Sequence, residues 1–167
     1  MITIERVGVG NALILKATRL RALQDTPLAF GSTYAKEAQS SDEEWIERAT
    51  KWSDGEKSVV FLAMDRGEVC GIAGSYVIPE DARQAQMVSM WTAPTHRRRG
   101  VGRRLVEEAI AWARSRKAEI LQLNVTSIND GAISFYERLG FTMTGRKEPY
   151  ANDPSLMECE MARPIRL

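Results

Sequence analysis

An arginine-rich segment with two glycines stands between a predicted strand and a predicted helix. It reads Arg97-Arg98-Arg99-Gly100-Val101-Gly102 and follows an alternating stretch that ends at Thr92. Glycine lets backbone N–H groups come close to a ligand, and the first turn of a helix has N–H donors without partners inside the helix. The helix dipole and the forked guanidinium groups add positive charge there. This combination predicts a site for phosphate or pyrophosphate.

The common nucleotide-binding motifs do not account for this segment. The Walker A loop GxxxxGK[ST] does not occur in the chain, and the dinucleotide fingerprint GxGxxG fails because Leu105 stands where its third glycine belongs. A second glycine pair, Gly8-Val9-Gly10, fails in the same way at Leu13. An arginine run alone is typical of an exposed, capped turn. The coincidence of a strand end, two glycines and a helix start favours the anion site.

Hydrophobic periodicity predicts a strand, two helices, three strands, a helix, a strand, a helix and two strands. Such an order favours a mixed sheet with helices on its faces, and the two later β-α-β units predict parallel pairing of neighbouring strands. In the first helix we expect Leu13, Ala17 and Leu20 to form the buried face. The predicted strands cover residues 1–7, 58–65, 68–78, 86–92, 119–126, 141–146 and 156–163; the predicted helices cover 11–24, 101–113 and 129–139, with one more after Ser41.

Length and composition predict one domain over residues 1–167. The net charge of +1 gives no general attraction to nucleic acid or to an anionic membrane. Cys70 and Cys159 stand far apart in predicted strands, and His96 is the one histidine, so we expect buried thiols and no metal site. An acyl-cysteine route through these thiols is the less favoured alternative. We see neither a membrane-spanning run nor a signal peptide, and therefore expect a cytoplasmic protein.

Two segments together resemble the GCN5-related N-acetyltransferases (GNAT). Arg97-x-x-Gly100-x-Gly102 is similar to the [QR]-x-x-G-x-[GA] loop of that family, whose backbone binds the pyrophosphate of acetyl-CoA. Residues 129–141, NDGAISFYERLGF, resemble the family's N-x-x-A-x-x-[LF]-Y-[EK]-x-x-G-F. Spacing and element order agree from about residue 59 to residue 141. The resemblance implies the acyl-CoA N-acyltransferase fold of the α/β (or α+β) class, with a mixed, mostly antiparallel sheet of about seven strands and about four helices.

The resemblance also implies roles for single residues. Asn129 would bond the cofactor arm besides capping a helix, and Tyr136 would be the general acid that protonates the coenzyme A sulfur. Periodicity alone would instead make Tyr136 a packing residue. Acetyl-CoA would be the co-substrate, with no metal. Main-chain groups of Met90, Trp91 and Thr92 would bind the pantetheine arm, and Arg97, Arg98, Arg99, Gly100, Val101, Gly102 and Arg103 would hold the pyrophosphate.

The general base and the acceptor amine are not identified by this resemblance. Ribosomal-protein N-terminal acetyltransferases of the family have a glutamate on the strand before the second motif, where this chain has Asn124. An amide cannot be a base, so a small-molecule amine is the preferred acceptor over a protein N-terminus. Phe30, Tyr34 and Glu37 are candidate acceptor contacts, with Glu37 also a candidate base. Glu80-Asp81 in a loop is an alternative base.

Three functions are compatible with these residues. The leading hypothesis is an N-acetyltransferase that works by direct attack in a ternary complex. A non-catalytic acyl-CoA sensor on the same fold would bind coenzyme A without turnover, and Tyr136 argues against it. A nucleic-acid-binding domain built on residues 97–99 is disfavoured by the near-neutral charge. We expect residues 30–37 and a loop over 147–155 to shape the acceptor site, and the family resemblance allows a homodimer.

Overall fold

Seven strands form one sheet in the computed structural model, which describes residues 1–166. The spatial order is β1-β2-β3-β4-β5-β7-β6. Every neighbouring pair is antiparallel except β4 and β5, which are parallel. The mixed, mostly antiparallel sheet of seven strands is therefore confirmed. The strands are β1 (Ile2–Arg6), β2 (Ser58–Asp65), β3 (Glu68–Val77), β4 (Gln84–Thr92), β5 (Ile120–Thr126), β6 (Thr142–Tyr150) and β7 (Asp153–Pro164).

Within residues 1–166, five α-helices cover the two faces of the sheet. Four correspond to predicted helices, and the fifth, α2, is a single turn that the periodicity did not indicate. Within residues 1–166, no helix is both long and apolar enough to cross a bilayer. The helices are α1 (Ala12–Asp25), α2 (Tyr34–Glu37), α3 (Asp42–Trp52), α4 (Val101–Ser115) and α5 (Asp130–Arg138).

The alternation of side chains along β2 divides the interior into two cores. One set of β2 residues packs with α4 and α5 on one face, and the other set packs with α1 and α3 on the opposite face. A strand buried on both faces explains why this stretch is almost continuously apolar. The first set is Val59, Phe61 and Ala63; the second is Val60, Leu62 and Met64.

Local sequence signals begin and end the elements as the sequence predicts. Arg66 and Gly67 both have positive φ, 52° and 83°, which is the type I′ turn of a two-residue hairpin between β2 and β3. Ser41 Oγ accepts from the Glu44 N–H at 3.2 Å and so caps α3. Gly140, at φ 90°, follows α5 in the left-handed conformation common after helices.

The buried face of α1 differs from the predicted one. Leu15, Ala22 and Leu23 are buried, whereas Leu13 and Ala17 face solvent. The predicted face was wrong because α1 has apolar residues on several sides, so that more than one stripe satisfies helical spacing. The contacts of α1 with α3 and with the sheet select the stripe that is buried.

The arrangement of β5, β6 and β7 also differs in part from the prediction. β4 and β5 are parallel neighbours joined through α4, as predicted. β5 and β6 are not neighbours, because β7 lies between them and is antiparallel to both. The predicted loop over 147–155 is largely strand, since β6 continues to Tyr150 and β7 begins at Asp153. Only the turn Ala151-Asn152 separates them, so this segment is a hairpin tip.

Candidate active site

A cleft opens where β4 and β5 separate. The two strands pair only through residues 84–86 and 120–122, and beyond them lies a cavity of about 990 Å³. Residues 86–92 of β4 and 123–126 of β5 line it, together with the start of α4 and with α5. Main-chain groups on the diverging edges have no strand between them, so an extended ligand can pair with them as an added strand would.

A bulge in β4 marks the middle of the cleft. Ile72 and Gly74 of β3 pair with Trp91 and Val88, so β4 carries one extra residue between these pairs. Ser89 stands in this stretch with φ 61°, an uncommon conformation for a residue other than glycine. A bulge bends its strand and redirects main-chain groups. The pairing of β4 with β5 ends at Gln86, just before this bulge.

The arginine-rich loop presents unpaired N–H groups at one end of the cleft. Arg98 and Gly100 both adopt left-handed conformations, with φ 63° and 82°. The hydrogen-bond ladder of α4 begins with the Arg104 N–H donating to the Gly100 carbonyl at 3.1 Å. The N–H groups of residues 101–103 therefore precede the ladder and have no partner within α4. The concave turn and the helix start together form an anion site.

The arginine side chains of this loop have different partners. Arg97 donates through Nε to the Thr92 carbonyl at 3.1 Å, and through Nη2 to Asp25. Arg99 Nη2 lies 3.8 Å from an Asp65 carboxylate oxygen. Arg98 lines the cleft and makes no side-chain hydrogen bond or ion pair within residues 1–166. Among residues 97–99, Arg98 is thus the side chain free to meet a phosphate, while Arg97 positions the loop.

Gly102 allows α5 to pack against the start of α4. A Cβ atom at this position would lie 3.0 Å from Phe135 Cζ and 3.5 Å from Thr92 Oγ1. Such a Cβ–carbon separation is tighter than ordinary van der Waals contact. The second glycine of the motif therefore serves helix packing, whereas Gly100, where a Cβ atom would meet nothing within 4 Å, serves backbone conformation.

Tyr136 packs in the core and also lines the cleft. Its ring meets Phe135 and Phe141 edge-on, with centroids 5.2 and 5.7 Å apart, and the residue is 7% exposed. Its hydroxyl has no hydrogen-bond partner within residues 1–166. Burial raises the pKa of Tyr136, so the phenol keeps its proton. Packing and proton donation, the two roles that the sequence allows, are compatible at this position.

Asn129 and Trp91 each bond another residue through one polar group and leave a second group for a ligand. Asn129 Oδ1 accepts from the Ala132 N–H at 3.1 Å and caps α5, which leaves its Nδ2 group for a ligand in the cleft. The Trp91 indole is buried and donates to Asp25 at 2.9 Å, with the Arg21 guanidinium 5.2 Å from its ring centroid. The indole thus packs against α1, and Trp91 offers the cleft its main chain.

The three acceptor contacts predicted near α2 lie in different places. Phe30 is buried and lines the cleft beneath the Arg19 guanidinium, 4.8 Å from its ring centroid. Glu37 lies outside the cleft and holds Arg19 in a two-point ion pair of 3.0 and 3.1 Å. Burial opposes ionisation of Glu37, but the bonds and charge of Arg19 outweigh it and lower the pKa. Tyr34 is 40% exposed and lines neither the cleft nor the cavity beside it.

A second cavity adjoins the cleft on the α1 and α3 side of the sheet. Its volume is about 670 Å³, and Arg19 and Ser89 line both spaces. Arg19 donates to Ser89 Oγ as well as to Glu37, so this one side chain connects the β4 bulge to α2. Trp45 lies in the wall of the second cavity, and its buried Nε1–H has no partner within residues 1–166.

The β6–β7 hairpin tip holds the chain segment that leads into α2. The Tyr150 hydroxyl donates to the Phe30 carbonyl. Asn152 Nδ2 donates to the carbonyls of Phe30 and Ser32, each at 3.2 Å. Tyr150 is buried, so its bond to Phe30 is sheltered from water, whereas Asn152 is exposed. The tip therefore fixes residues 30–32, which form part of the cleft wall.

Several further groups that could transfer a proton or an acyl group are bonded to other side chains or are buried. His96 bonds Asp65 at 2.8 Å, and Asp81 bonds Arg83 in an exposed loop. Cys70 and Cys159 are both buried and unpaired, as expected for structural thiols. Among residues 1–166, no group of three or more histidine, cysteine or acidic side chains is arranged to hold a metal ion.

Several polar residues of the cleft were not predicted from the sequence, among them Arg19, Ser89, Thr126 and Glu158. Alternation along β7 places Glu158 on the same side of its strand as Glu160. That pattern could have grouped the two glutamates, but only the position of β7 beside β5 shows which of them reaches the cleft. For Arg19 and Ser89, nothing in the local sequence distinguishes them from surface residues.

Comparison with known proteins identifies the family. A model described as "Acetyltransferase (GNAT) family" matches residues 8–141. Streptothricin acetyltransferase of Streptomyces lavendulae is 47% identical over 53 residues, which are 32% of this chain and 28% of that protein. [Ribosomal protein bS18]-alanine N-acetyltransferase of Escherichia coli is 30% identical over 97 residues, 58% of this chain and 64% of that protein. The chain thus matches less than two thirds of either relative.

Structural comparison extends the likeness to the full length. The structure of yncA from Salmonella typhimurium with its cofactor acetyl-CoA has a TM-score of 0.79 at 18% identity, covering 100% of this chain and 95% of that one. At this identity the likeness concerns the fold. Because the family model spans well over half of the sequence, the chain belongs to the GNAT acetyltransferase family.

Proposed function

We propose that the protein is an acetyl-CoA-dependent N-acetyltransferase that acetylates a primary amine of a small molecule by direct attack in a ternary complex. The observation that carries this proposal is the joining of two features in one cleft: an anion site at the start of α4 and the unpartnered hydroxyl of Tyr136. Family membership supports the acetyl transfer. The yncA structure, which has the same fold, holds acetyl-CoA.

The cofactor would lie along the diverging edge of β4. Its pyrophosphate would accept hydrogen bonds from the N–H groups of residues 101–103 and from Arg98. The pantetheine arm would pair with main-chain groups of Met90, Trp91 and Thr92, as an added strand does. The free Nδ2 of Asn129 would donate to the same arm. These contacts bring the thioester toward the middle of the cleft.

The reaction requires stabilisation of two negative charges. When the neutral amine attacks the thioester, the carbonyl oxygen becomes an oxyanion, for which a main-chain N–H near Trp91 or Thr92 is the donor. Coenzyme A then leaves as a thiolate, whose conjugate acid has an ordinary pKa of about 8.5. Tyr136, protonated because it is buried, donates to that sulfur, and the amine's own proton restores the phenol.

Two features support a small acceptor. Asn124 stands where N-terminal acetyltransferases of the family have a glutamate, and the second cavity gives a small molecule a place beside the cleft. The names of the relatives include both a streptothricin and a ribosomal-protein acetyltransferase, so they do not select between acceptor classes.

Release of free thiol from acetyl-CoA with a panel of primary amines tests the proposal. We expect turnover with at least one amine, and we expect Tyr136→Phe to lower kcat by about 100-fold, the usual contribution of a general acid. Tyr34→Phe is the matched control, because Tyr34 lies outside both cavities. Binding of coenzyme A without turnover on any amine would favour the non-catalytic sensor instead. Full activity of Tyr136→Phe when chemistry limits the rate would remove its acid role.

A further inference from the structure

Glu158 is the single carboxylate among the described residues that line the cleft. The other charged side chains in that lining are arginines, so the cleft suits the anionic cofactor. One acidic group in such surroundings calls for a separate explanation. The charged or titratable side chains that line the cleft with Glu158 are Arg19, His96, Arg97, Arg98, Arg103, Tyr136 and Arg138.

The register of the sheet places Glu158 beside an unsatisfied hydroxyl. Glu158 of β7 pairs with Thr126 of β5, so the two side chains lie next to each other on one face. Thr126 lines the cleft, is 4% exposed, and its Oγ1 has no hydrogen-bond partner within residues 1–166. The Glu158 carboxylate likewise has no hydrogen bond or ion pair there. A buried polar group is normally paired, so the Thr126 hydroxyl, beside the half-buried and unpaired Glu158 carboxylate, indicates a place for a polar ligand group.

We propose that Glu158 is the general base of the reaction and that the acceptor enters as a cationic amine bound by Glu158 and Thr126. This inference rests on the proposed acetyl transfer. The carboxylate attracts the ammonium group, and the Thr126 hydroxyl accepts a second of its hydrogen bonds. Asn124, two residues before Thr126, cannot accept a proton. The carboxylate that is missing from β5 is thereby supplied by the adjacent strand.

The protons balance with the two groups in these roles. The ammonium transfers one proton to Glu158 and becomes a neutral amine, which forms the new C–N bond by adding to the thioester carbon. The C–S bond breaks when the resulting oxyanion collapses to the amide carbonyl. Tyr136 gives its proton to the sulfur, and the second proton lost by nitrogen returns to Tyr136. Glu158 releases its proton to solvent. The net products are the amide, free coenzyme A and one proton.

The electrostatic surroundings suit this role. Burial raises the pKa of Glu158, and the neighbouring charge of Glu148, its register partner on β6, raises it further. A base works best when its pKa approaches the working pH. Because the pKa is raised, the carboxylate is lost at a higher pH than for an ordinary glutamate. In the pH profile of kcat/KM, the acid limb should therefore occur at a higher pH than the pKa range usual for a glutamate.

Glu158→Gln tests the inference, with Glu160→Gln as the matched control. Glu160 is two residues along β7, bonds the Thr144 hydroxyl at 3.0 Å and does not line the cleft. The wild type and both variants are compared from acid to alkaline pH with acetyl-CoA and four amines: lysine, spermidine, 2-phenylethylamine and the dipeptide Ala-Ala. Coenzyme A binding is measured by calorimetry on the same samples.

We expect Glu158→Gln to lower kcat/KM by about 100-fold at neutral pH, to lose the acid limb, and to recover as the pH approaches the amine's own pKa. Coenzyme A binding should not change, and Glu160→Gln should behave like the wild type. An unchanged acid limb in active Glu158→Gln would overturn the assignment and leave the acetyltransferase proposal standing. If the wild type acetylates none of the amines while binding coenzyme A, both proposals fail.

Discussion

At the scale of single residues, Arg19 connects the parts of the proposed acceptor side of the cleft. Its guanidinium pairs with Glu37, donates to Ser89 at the β4 bulge and covers the Phe30 ring. Glu37 was a candidate base from the sequence, but a carboxylate held in a two-point ion pair with a lowered pKa is a poor proton acceptor. The geometry of the ion pair instead supports a role for Glu37 in positioning Arg19.

The Arg19–Glu37 pair predicts a pH-dependent stability. The folded-state pKa of Glu37 lies below its reference value of 4.5, so its contribution is complete above that value and is lost as the pH falls through the folded-state pKa. We expect Glu37→Gln to lower the free energy of unfolding by about 1–3 kcal/mol at pH 7, because Arg19 loses its charged partner. The difference from wild type should shrink in acid.

Urea unfolding of the two proteins at pH 7 and at successively lower pH measures this difference. Glu47→Gln is the control, since Glu47 is exposed on α3 and makes no ion pair within residues 1–166. A deficit of Glu37→Gln that stays constant from neutral pH down through the acid range would contradict the assignment.

The residues that the sequence could identify are those with a local structural role. Gly100 and Gly102 stand at a helix start, and Asn129 and Tyr136 belong to one short motif around α5. Glu158 has no such local signal, because its place in the cleft depends on β7 lying beside β5. The residues of the proposed acceptor side come from separate parts of the chain, so spacing in the sequence does not reveal them.

At the scale of elements, the β6–β7 hairpin acts as a support for residues 30–32. We expect Tyr150→Phe to lower the free energy of unfolding by about 0.5–1.5 kcal/mol, because the Phe30 carbonyl loses one of its two side-chain donors and keeps Asn152 Nδ2. The KM for the acceptor should rise, while the KM for acetyl-CoA should stay the same, since the start of α4 is untouched.

Denaturant unfolding and the two KM values measure these effects separately. Ser155→Ala is the control, because it removes a hydroxyl near the same tip that donates only to Asp153. An equal rise in both KM values would mean that the hairpin supports the whole cleft rather than its acceptor side.

Element boundaries were largely predictable, but strand order was not. Caps, turns and hydrophobic period act over a few residues, and they located α3, α4, α5 and the β2–β3 turn within a few positions. The insertion of β7 between β5 and β6 pairs residues that are more than thirty positions apart in sequence, such as Leu123 and Met161. No local pattern specifies that pairing.

At the scale of the whole molecule, the sheet consists of two parts joined weakly at the cleft. β1 to β4 form one part and β5, β7 and β6 the other, with three residue pairs between β4 and β5. α4 supplies the covalent crossover. A cofactor bound between the strands would contact both parts, and a ligand that binds only the folded protein stabilises it by mass action.

Coenzyme A should therefore stabilise the sheet by contacting both of its parts. At 100 times its Kd we expect an increase of about 2.7 kcal/mol in the free energy of unfolding, with slower hydrogen exchange concentrated in residues 87–92. Arg98→Ala should weaken coenzyme A binding by about 10- to 150-fold, because one charge-assisted bond to phosphate is worth roughly 1.5–3 kcal/mol. Lys51→Ala, which removes a cation from the exposed side of α3, should bind like wild type. Slower exchange spread evenly over β1 to β3 would place coenzyme A outside the cleft. Protection confined to the edge of β4 would fit a cofactor that lies beyond the last residue pair between β4 and β5.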